Sequence, residues 1–339
     1  MPGRSDIVIR GAGVIGLSLA LELRSRGYMV TVLEQGTPLA QASTAAAGML
    51  AVEDPHNPPE LLPMARLSRA FYPSFLARIE ALSGISVPFQ TEVTWQTMPG
   101  GDIRRLAEHS LDPRQLAGAL LAAAEAAGVR ILHGLPDMPW QELSDATNKP
   151  YATVYTTGAW GLPGLPVAPR KGQMVRVRVP SGCVLSDVYR SEHVYVVPRM
   201  HGPQAGTALI GATVEDAGYD TSTTPAALAR LREMGAELVP VLGDAQAAPA
   251  VEAWAGLRPT TLDGLPVLSR WENHGGDPHR SPEYVATGHF RNGILLAPAT
   301  ALLMADLIGN QVPGVDLEPF SADRFVAGSA SRLHFIGQV

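Results

Sequence analysis

Cysteine is nearly absent from this chain: Cys183 stands alone among 339 residues, which excludes an internal disulfide and suits a reducing compartment. Lysine is nearly as rare, with only Lys149 and Lys171; the other basic residues are arginine. Charged residues make up 17% against 46% hydrophobic. So little charge with so much apolar material excludes a disordered chain and a nucleic-acid-binding composition. The net charge of −6 favours solubility and says little about partners. The apolar run Val14 to Leu23 is too short to cross a bilayer, and a strand starting at Asp6 leaves no room ahead of it for a signal peptide. His133, His201, His274 and His279 show no metal-ligand spacing, so no metal is expected. The expectation is a cytoplasmic protein without nucleic-acid or membrane partners. Its length allows one large or two moderate domains, and it carries no repeat or low-complexity tract.

What is present is concentrated first at the N-terminus, in Asp6-Ile-Val-Ile-Arg-Gly11-Ala-Gly13-Val-Ile-Gly16. A short buried strand, Asp6 to Arg10, leads through three glycines into a helix from Val14 to Arg26. Gly27 closes that helix, and Met29 to Leu33 is a second strand ending at Glu34. Gly11 permits the sharp turn, Gly13 lets backbone approach a pyrophosphate, and Gly16 lets helix pack on strand. The helix N-terminus offers N–H groups to phosphate, and Glu34 can accept hydrogen bonds from ribose hydroxyls. A lone G-x-G-x-x-G is weak, because glycine is common and a tight β-α turn uses it too. The strand before it, the helix after it and Glu34 make it a dinucleotide signal.

Downstream, Gln41 to Ala51 consists almost wholly of small residues. It is a flexible loop, or backbone able to lie flush against a flat ring, with Ser43 and Thr44 able to cap phosphate or a helix end. A helix is expected from Leu61 to Leu82, with Leu67, Phe71, Phe75 and Ile79 forming its core face. Val87 to Met98 alternates as a strand before the turn Pro99-Gly100-Gly101. Asp112 caps a helix from Pro113 to Ala127, closed by Gly128. Strands follow at Val129 to His133 and Tyr151 to Thr157. Together these suggest one doubly wound sheet. From Arg170 to Val251 the pattern changes to successive strands at Gln173 to Val179, Glu192 to Pro198 and Ala208 to Thr213, with one helix from Pro225 to Leu238. That order indicates an inserted, mainly antiparallel domain. Beyond Pro249 turns are expected, then a strand at Tyr284 to Ala286 and a helix ending near Ile308.

The fold class is therefore α/β with an α+β insert: a Rossmann-like dinucleotide-binding domain over 1–84, 108–168 and 252–339, and an inserted, mainly antiparallel domain over 85–107 and 169–251, expected to hold the substrate. FAD is favoured over NAD by a second Gly-rich turn feeding a helix, Thr287-Gly288-His289-Phe290-Arg291-Asn292-Gly293-Ile294-Leu295, with Pro298 in its opening turns. One helix end suits pyrophosphate; a second suits the flavin pyrimidine carbonyl, where negative charge accumulates on reduction.

With Gly11 to Gly16 and Glu34, Ser43 to Leu50, Gly158-Ala159-Trp160, Lys171-Gly172-Gln173, Tyr195 to Arg199, Trp254 to Gly264 and Thr287 to Thr300, the chain resembles the D-amino-acid oxidase family of FAD-dependent amine oxidoreductases. Within that family it is most similar to the glycine oxidases of thiazole formation for thiamine. The resemblance implies non-covalent FAD, with Val14, Ile15, Glu34 and Gln35 on the ADP part. Ala42, Ser43, Ala47, Gly48 and Met49 would line the flavin, as would His289, Phe290, Arg291, Asn292, Gly293, Ile294 and Leu295. It implies that Arg258 clamps a substrate carboxylate beside Arg291 and Tyr195. It further implies a small amino-acid substrate with O2, a homo-oligomer such as a tetramer, and a link to thiazole synthase. Three departures stand out: Arg10 replaces an aliphatic strand residue, the adenine-flanking pattern is missing around Leu135 to Trp140, and the chain is shorter around Pro55 to Pro59 and Pro99 to Arg105.

Amine oxidation of this kind needs the α-carbon held near the flavin with its amine unprotonated; it needs no nucleophile or metal. A planar guanidinium matches a carboxylate with two parallel hydrogen bonds, and Arg258 stands outside any charge run. Met49 can fill the space a bulky side chain would need. His193 and His289 are read as hydrogen-bonding residues, and Asp263 as a turn residue. Cys183 lies away from the flavin motifs. Oxidase, dehydrogenase passing electrons to a quinone, and non-catalytic flavoprotein remain distinct readings at this stage.

Overall fold

The computed structural model describes residues 7–134, 150–271 and 281–325. Asp6, Leu135 to Trp140, His274 and His279 lie outside them. The first sheet has six strands in the order β14-β15-β8-β1-β2-β7. These are β1 (Ile7–Arg10), β2 (Val30–Leu33), β7 (Arg130–Leu132), β8 (Ala152–Tyr155), β14 (Val267–Arg270) and β15 (Glu283–Thr287). All pair in parallel except β14 with β15. Arg10 belongs fully to β1, in register with Leu33 and Tyr155. Its guanidinium lies 5.2 Å from the centre of the Tyr155 ring, where the stem is buried and the charge meets an aromatic face.

The helices α1 (Val14–Ser25), α3 (Leu62–Ser83), α4 (Pro113–Ala126) and α6 (Gly293–Ile308) share one core with Ile7, Ile9, Val30, Val32, Ala152 and Val154. Those residues alternate along their strands, so among the described residues the helices cover one face of the sheet. The opposite face, through Tyr155, Val267 and Val285, packs on Leu162, Leu165, Val167 and Ala322. Among the described residues, helices therefore stand on one side and loops on the other, where double winding is expected. The described residues contain one helical stretch long and apolar enough to cross a membrane, Phe290–Ile308, and 72% of its most apolar window is buried inside the fold.

The face of α3 is only partly the one expected: Ile79 is buried, and Leu67 and Phe75 pack half-buried against the core. Met64, Ala65, Ser68, Tyr72, Leu76 and Ile79 are buried, whereas Phe71 is exposed. The reason lies in α6. Pro298 cannot donate to the carbonyl of Ile294, and the Tyr72 hydroxyl donates to that carbonyl instead. Ser68 Oγ donates to Leu295 O (2.6 Å) and accepts from Ala299 N (3.2 Å). Polar partners on α6 therefore decide which side of α3 turns inward. Tyr72→Phe is expected to lower unfolding stability by about 1–3 kcal/mol, the cost of a buried carbonyl left without a donor. Chemical denaturation of the two proteins checks this, and equal midpoints with equal slopes would count against it.

The second sheet has seven strands in the order β13-β9-β12-β11-β10-β4-β5. Its strands are β4 (Thr94–Thr97), β5 (Ile103–Leu106), β9 (Ala168–Arg178), β10 (Val188–Arg190), β11 (Tyr195–Arg199), β12 (Thr207–Gly211) and β13 (Ala250–Thr260). Only β4 and β10 pair in parallel. The helix α5 (Pro225–Leu238) starts at Thr224, whose hydroxyl accepts from Ala227 N at 3.3 Å. A two-stranded ribbon, β3 (Phe89–Thr91) with β6 (Ser110–Leu111), links the layers. The turns expected beyond Pro249 are in fact β13, which pairs with β9 along its length, and β14. Gly256 and Pro259 mimic turn signals there, and Pro259 is tolerated because β13 is an edge strand.

Candidate active site

A cleft runs between the six-stranded sheet and the seven-stranded roof, lined by residues of both. At one end lies the glycine turn. Gly11 has φ +113°, and a Cβ on it would sit 2.5 Å from Thr156 O. A Cβ on Gly16 would lie 2.0 Å from Gly11 O, so the turn closes only with glycine at both places. Thr156, which sequence reading passed over, ties β1 to β8 by donating from Oγ1 to Gly11 O at 2.8 Å. Glu34 accepts from Ala12 N (2.8 Å) and Gly36 N (3.0 Å), so this carboxylate first holds the glycine turn itself.

Gly13, Val14, Ile15, Ala42, Ser43, Ala47, Gly48 and Met49 line the cleft. Gly11, Gly16, Glu34, Gln35 and Leu295 do not reach its wall. Ser43 Oγ accepts from Val14 N at 2.9 Å, capping the first turn of α1. The small-residue stretch carries the short helix α2 (Ala42–Ala45) and is held against the roof by two long-range contacts. Trp254 Nε1 donates to Ala45 O (3.1 Å), and Arg199 Nη2 to Ala47 O (2.8 Å). Burial lowers the Arg199 guanidinium to about 10, which still leaves it charged at neutral pH.

The second helix end comes from the opposite end of the chain. His289, Phe290, Arg291, Asn292, Gly293 and Ile294 line the same cleft, and α6 begins at Gly293 with no side-chain cap. Its first N–H groups therefore keep their donor capacity. His289 is buried, and its Nε2 lies 3.0 Å from Thr300 Oγ1. Burial pushes its ring from 6.5 down to about 3, so it is neutral near pH 7 and serves as a hydrogen-bonding residue. A group depressed in the folded state contributes stability above its unfolded pKa that is lost as pH falls toward the folded one. Stability is expected to drop by up to roughly 4 kcal/mol between about pH 6.5 and pH 3 from this ring alone. His289→Gln should flatten that part of the stability-versus-pH curve; an unchanged slope would contradict the assignment.

At the roof, Arg258, Tyr195, Met49 and Met174 meet. Arg258 Nη1 donates to Thr213 O at 3.1 Å and, more weakly, to Lys171 O at 3.4 Å. Among the described residues no carboxylate forms an ion pair with it. Burial lowers its pKa, and Arg291 acts in the same direction while Tyr195 opposes. The Tyr195 hydroxyl, raised by burial although Arg258 beside it pulls the other way, lies 3.2 Å from Met174 Sδ. Arg291 is engaged differently: its Nη2 is 3.1 Å from Asp54 Oδ2. Asp54 in turn stands 3.8 Å from Arg190 Nη1 and 3.1 Å from His56 Nδ1. Burial works against this carboxylate, yet Arg291, Arg190 and His56 together hold it below the usual range. Arg190 is also 3.3 Å from Glu108. Asp54, Arg190 and Glu108 were not singled out from sequence, where nothing local marks them. His193 lines an outer groove that shares Tyr195, Arg258 and Arg291 with the cleft. Cys183 packs against the core of the insert, away from the cleft.

These residues fit FAD. Two uncapped or lightly capped helix ends, α1 and α6, converge on one long cleft, with a flat wall of small residues between them and the Arg258 side chain above. No cluster of three or more His, Cys, Asp or Glu suited to a metal occurs among the described residues.

Comparison with known proteins gives the same picture. The profile of the family described as DAO, FAD dependent oxidoreductase, matches residues 6–110 and 100–307. The bifunctional protein ThiO/ThiG of Trichormus variabilis is 36% identical over 94% of this chain and 55% of its own length. This chain thus spans about half of such bifunctional relatives. The glycine oxidase of Geobacillus kaustophilus is 31% identical over 96% of this chain and 98% of its own. The crystal structure of glycine oxidase from that organism superimposes with a TM-score of 0.82 at 28% identity, covering 95% of this chain and 99% of that one.

Proposed function

The chain belongs to the DAO family of FAD-dependent oxidoreductases, and from that premise we propose that it oxidises glycine, with sarcosine and D-alanine as further substrates. The products are the imine or glyoxylate, ammonia and hydrogen peroxide, and the imine is drawn off for thiazole synthesis. The observation that carries the reading is Arg258: a guanidinium held by backbone carbonyls, free of an internal carboxylate among the described residues, at the meeting of cleft and outer groove. Such a group is poised for a bidentate carboxylate. Relatives named glycine oxidase support the choice of substrate, and the ThiO/ThiG relatives support the link to thiazole formation.

Bound FAD supplies the two-electron acceptor, with onward transfer to oxygen. Arg258 takes the substrate carboxylate, and the Tyr195 hydroxyl steadies the Arg258 edge. Met49 and Met174 occupy the space beside the α-carbon, which favours a substrate without a bulky side chain. Arg291, neutralised by Asp54, shapes the wall more than it binds the carboxylate. Neutral His289 does not compete for the substrate proton, so the amine must arrive deprotonated and activity rises with pH. We place the enzyme in the cytoplasm as a homo-oligomer. The cofactor unit is assigned to 1–84, 108–168 and 252–339, with β13 contributing backbone to the roof.

The test is anaerobic bleaching of the holoprotein by glycine, sarcosine, D-alanine, D-proline and D-phenylalanine, followed by air. Glycine-driven bleaching with peroxide on aeration is expected. Preference for D-phenylalanine would move the protein to a general D-amino-acid oxidase. Bleaching that air does not reverse would make it a dehydrogenase.

A further inference from the structure

We propose that Gly172, with the Lys171–Asp220 contact behind it, is the positioning residue that sets the place of the Arg258 guanidinium and thereby the affinity for a substrate carboxylate. The inference rests on Arg258 being the carboxylate clamp. On the paired strands, Arg258 stands opposite Arg170 and Gly172 opposite Gly256. The guanidinium folds back over β9 onto Gly172. A Cβ there would lie 2.3 Å from Nη2, 2.4 Å from Nη1 and 2.5 Å from Cζ. Gly172 is not among the glycines with positive φ, so its backbone is one that any residue can adopt. What the position requires is space, and the group that uses the space is Arg258.

The floor under the guanidinium is fixed independently. Lys171 N donates to Glu215 O (3.0 Å) and Glu215 N to Lys171 O (2.9 Å), so the carbonyl that receives Arg258 belongs to a short ladder between β9 and residues 213–215. Thr213 Oγ1 accepts from Gln173 N at 2.8 Å, fixing the second carbonyl's residue. Lys171 Nζ, on a side chain only 2% exposed, closes the arrangement on Asp220 Oδ2 at 2.5 Å. Asp220 is itself held by Ser222, whose N and Oγ each donate to it at 2.9 Å. A planar fork must meet both carboxylate oxygens at once, so a displacement near 1 Å removes one of its two hydrogen bonds.

The experiment measures acetate binding to holoprotein by perturbation of the flavin spectrum, with FAD content and glycine KM and kcat alongside. Gly172→Ala, Arg258→Met and the double variant form a cycle. Gly172→Ala is expected to keep its FAD, weaken acetate and raise the glycine KM by about tenfold or more, the loss of one charge-assisted contact. It should add nothing in the Arg258→Met background. Wild-type acetate affinity in Gly172→Ala, or equal losses in both backgrounds, would overturn the proposal. Wild-type acetate affinity in Arg258→Met would instead overturn the clamp itself. If Gly172→Ala does not retain FAD, Asp220→Asn takes its place: its side chain is 49% exposed and lines neither the cleft nor the outer groove. A severalfold weaker acetate affinity supports the proposal, and unchanged affinity refutes it.

Discussion

Arg258→Met is expected to leave FAD bound while substrate affinity and the rate of flavin reduction fall by roughly 10- to 150-fold, the worth of a charge-assisted, partly desolvated pair at about 1.5–3 kcal/mol. Four features set the size of this effect. Thr213 O and Lys171 O hold one edge of the guanidinium, so its position is paid for before substrate arrives. No carboxylate among the described residues competes for it. Glycine has no side chain, so carboxylate and amine contacts must carry nearly all of its binding. Arg291 cannot take over, because Asp54 already engages it. Arg258→Lys should recover only part of the loss, since an ammonium lacks the fork. Rapid anaerobic reduction kinetics with glycine measure all three proteins, and near-wild-type kinetics in Arg258→Met would remove the clamp from the account.

The parts of this architecture legible in the sequence are those specified by neighbours in the chain. Asp112 accepts from Arg114 N at 2.9 Å ahead of Pro113, and that cap announces α4. Pro225 to Leu238 was read with the bounds that α5 shows. The glycine turn, β1, α1 and Glu34 are equally local. What escaped notice is specified by distant partners. The side of α3 that turns inward depends on carbonyls of α6, 222 and 227 positions away. β13 reads as turns until β9 pairs with it, since Gly256 and Pro259 break the alternation that marks a strand. β5 is an edge strand whose first three residues, Ile103, Arg104 and Arg105, are exposed, so no buried face imprints a pattern on it.

The site divides in the same way. The residues that line the cleft at its helix ends stand in two continuous stretches and were found together. Arg258 is named by the family resemblance, and its place outside any charge run suits a carboxylate partner. The charged group beneath the site, Asp54 with Arg190, Glu108 and Arg291, is assembled from four separate segments. Apart from Arg291, its members are ordinary in sequence. Only folding shows Arg190 to be 1% exposed and placed between two carboxylates, where burial raises Glu108 even as Arg190 opposes it. Removing one partner of such a buried group costs more than the pair contributes. Asp54 is therefore a poor position at which to test catalysis alone.

Two glycines of the same turn, Gly13 and Gly16, should separate folding from cofactor binding. A Cβ on Gly16 would lie 2.0 Å from Gly11 O and 2.6 Å from Thr156 Oγ1. Backbone cannot yield there without separating α1 from β1, so Gly16→Ala is expected to destabilise the apoprotein itself by roughly 1–3 kcal/mol, as overpacked interiors do. Gly13 differs. The nearest atom to a Cβ on it is Ser43 Oγ at 3.4 Å, its φ of −76° suits any residue, and it faces the cleft. The protein alone therefore tolerates a side chain at Gly13; a pyrophosphate lying against that backbone does not. Gly13→Val is expected to yield a folded, colourless protein with apoprotein stability close to wild type. Its FAD occupancy should fall at least about a hundredfold at equal free FAD, because steric contact and lost N–H contacts to phosphate act together. Visible absorbance reports the occupancy, and thermal unfolding of FAD-stripped samples reports the fold. A yellow Gly13→Val protein, or one whose apoprotein melts as low as that of Gly16→Ala, would show that Gly13 shapes the turn and does not make room for the cofactor.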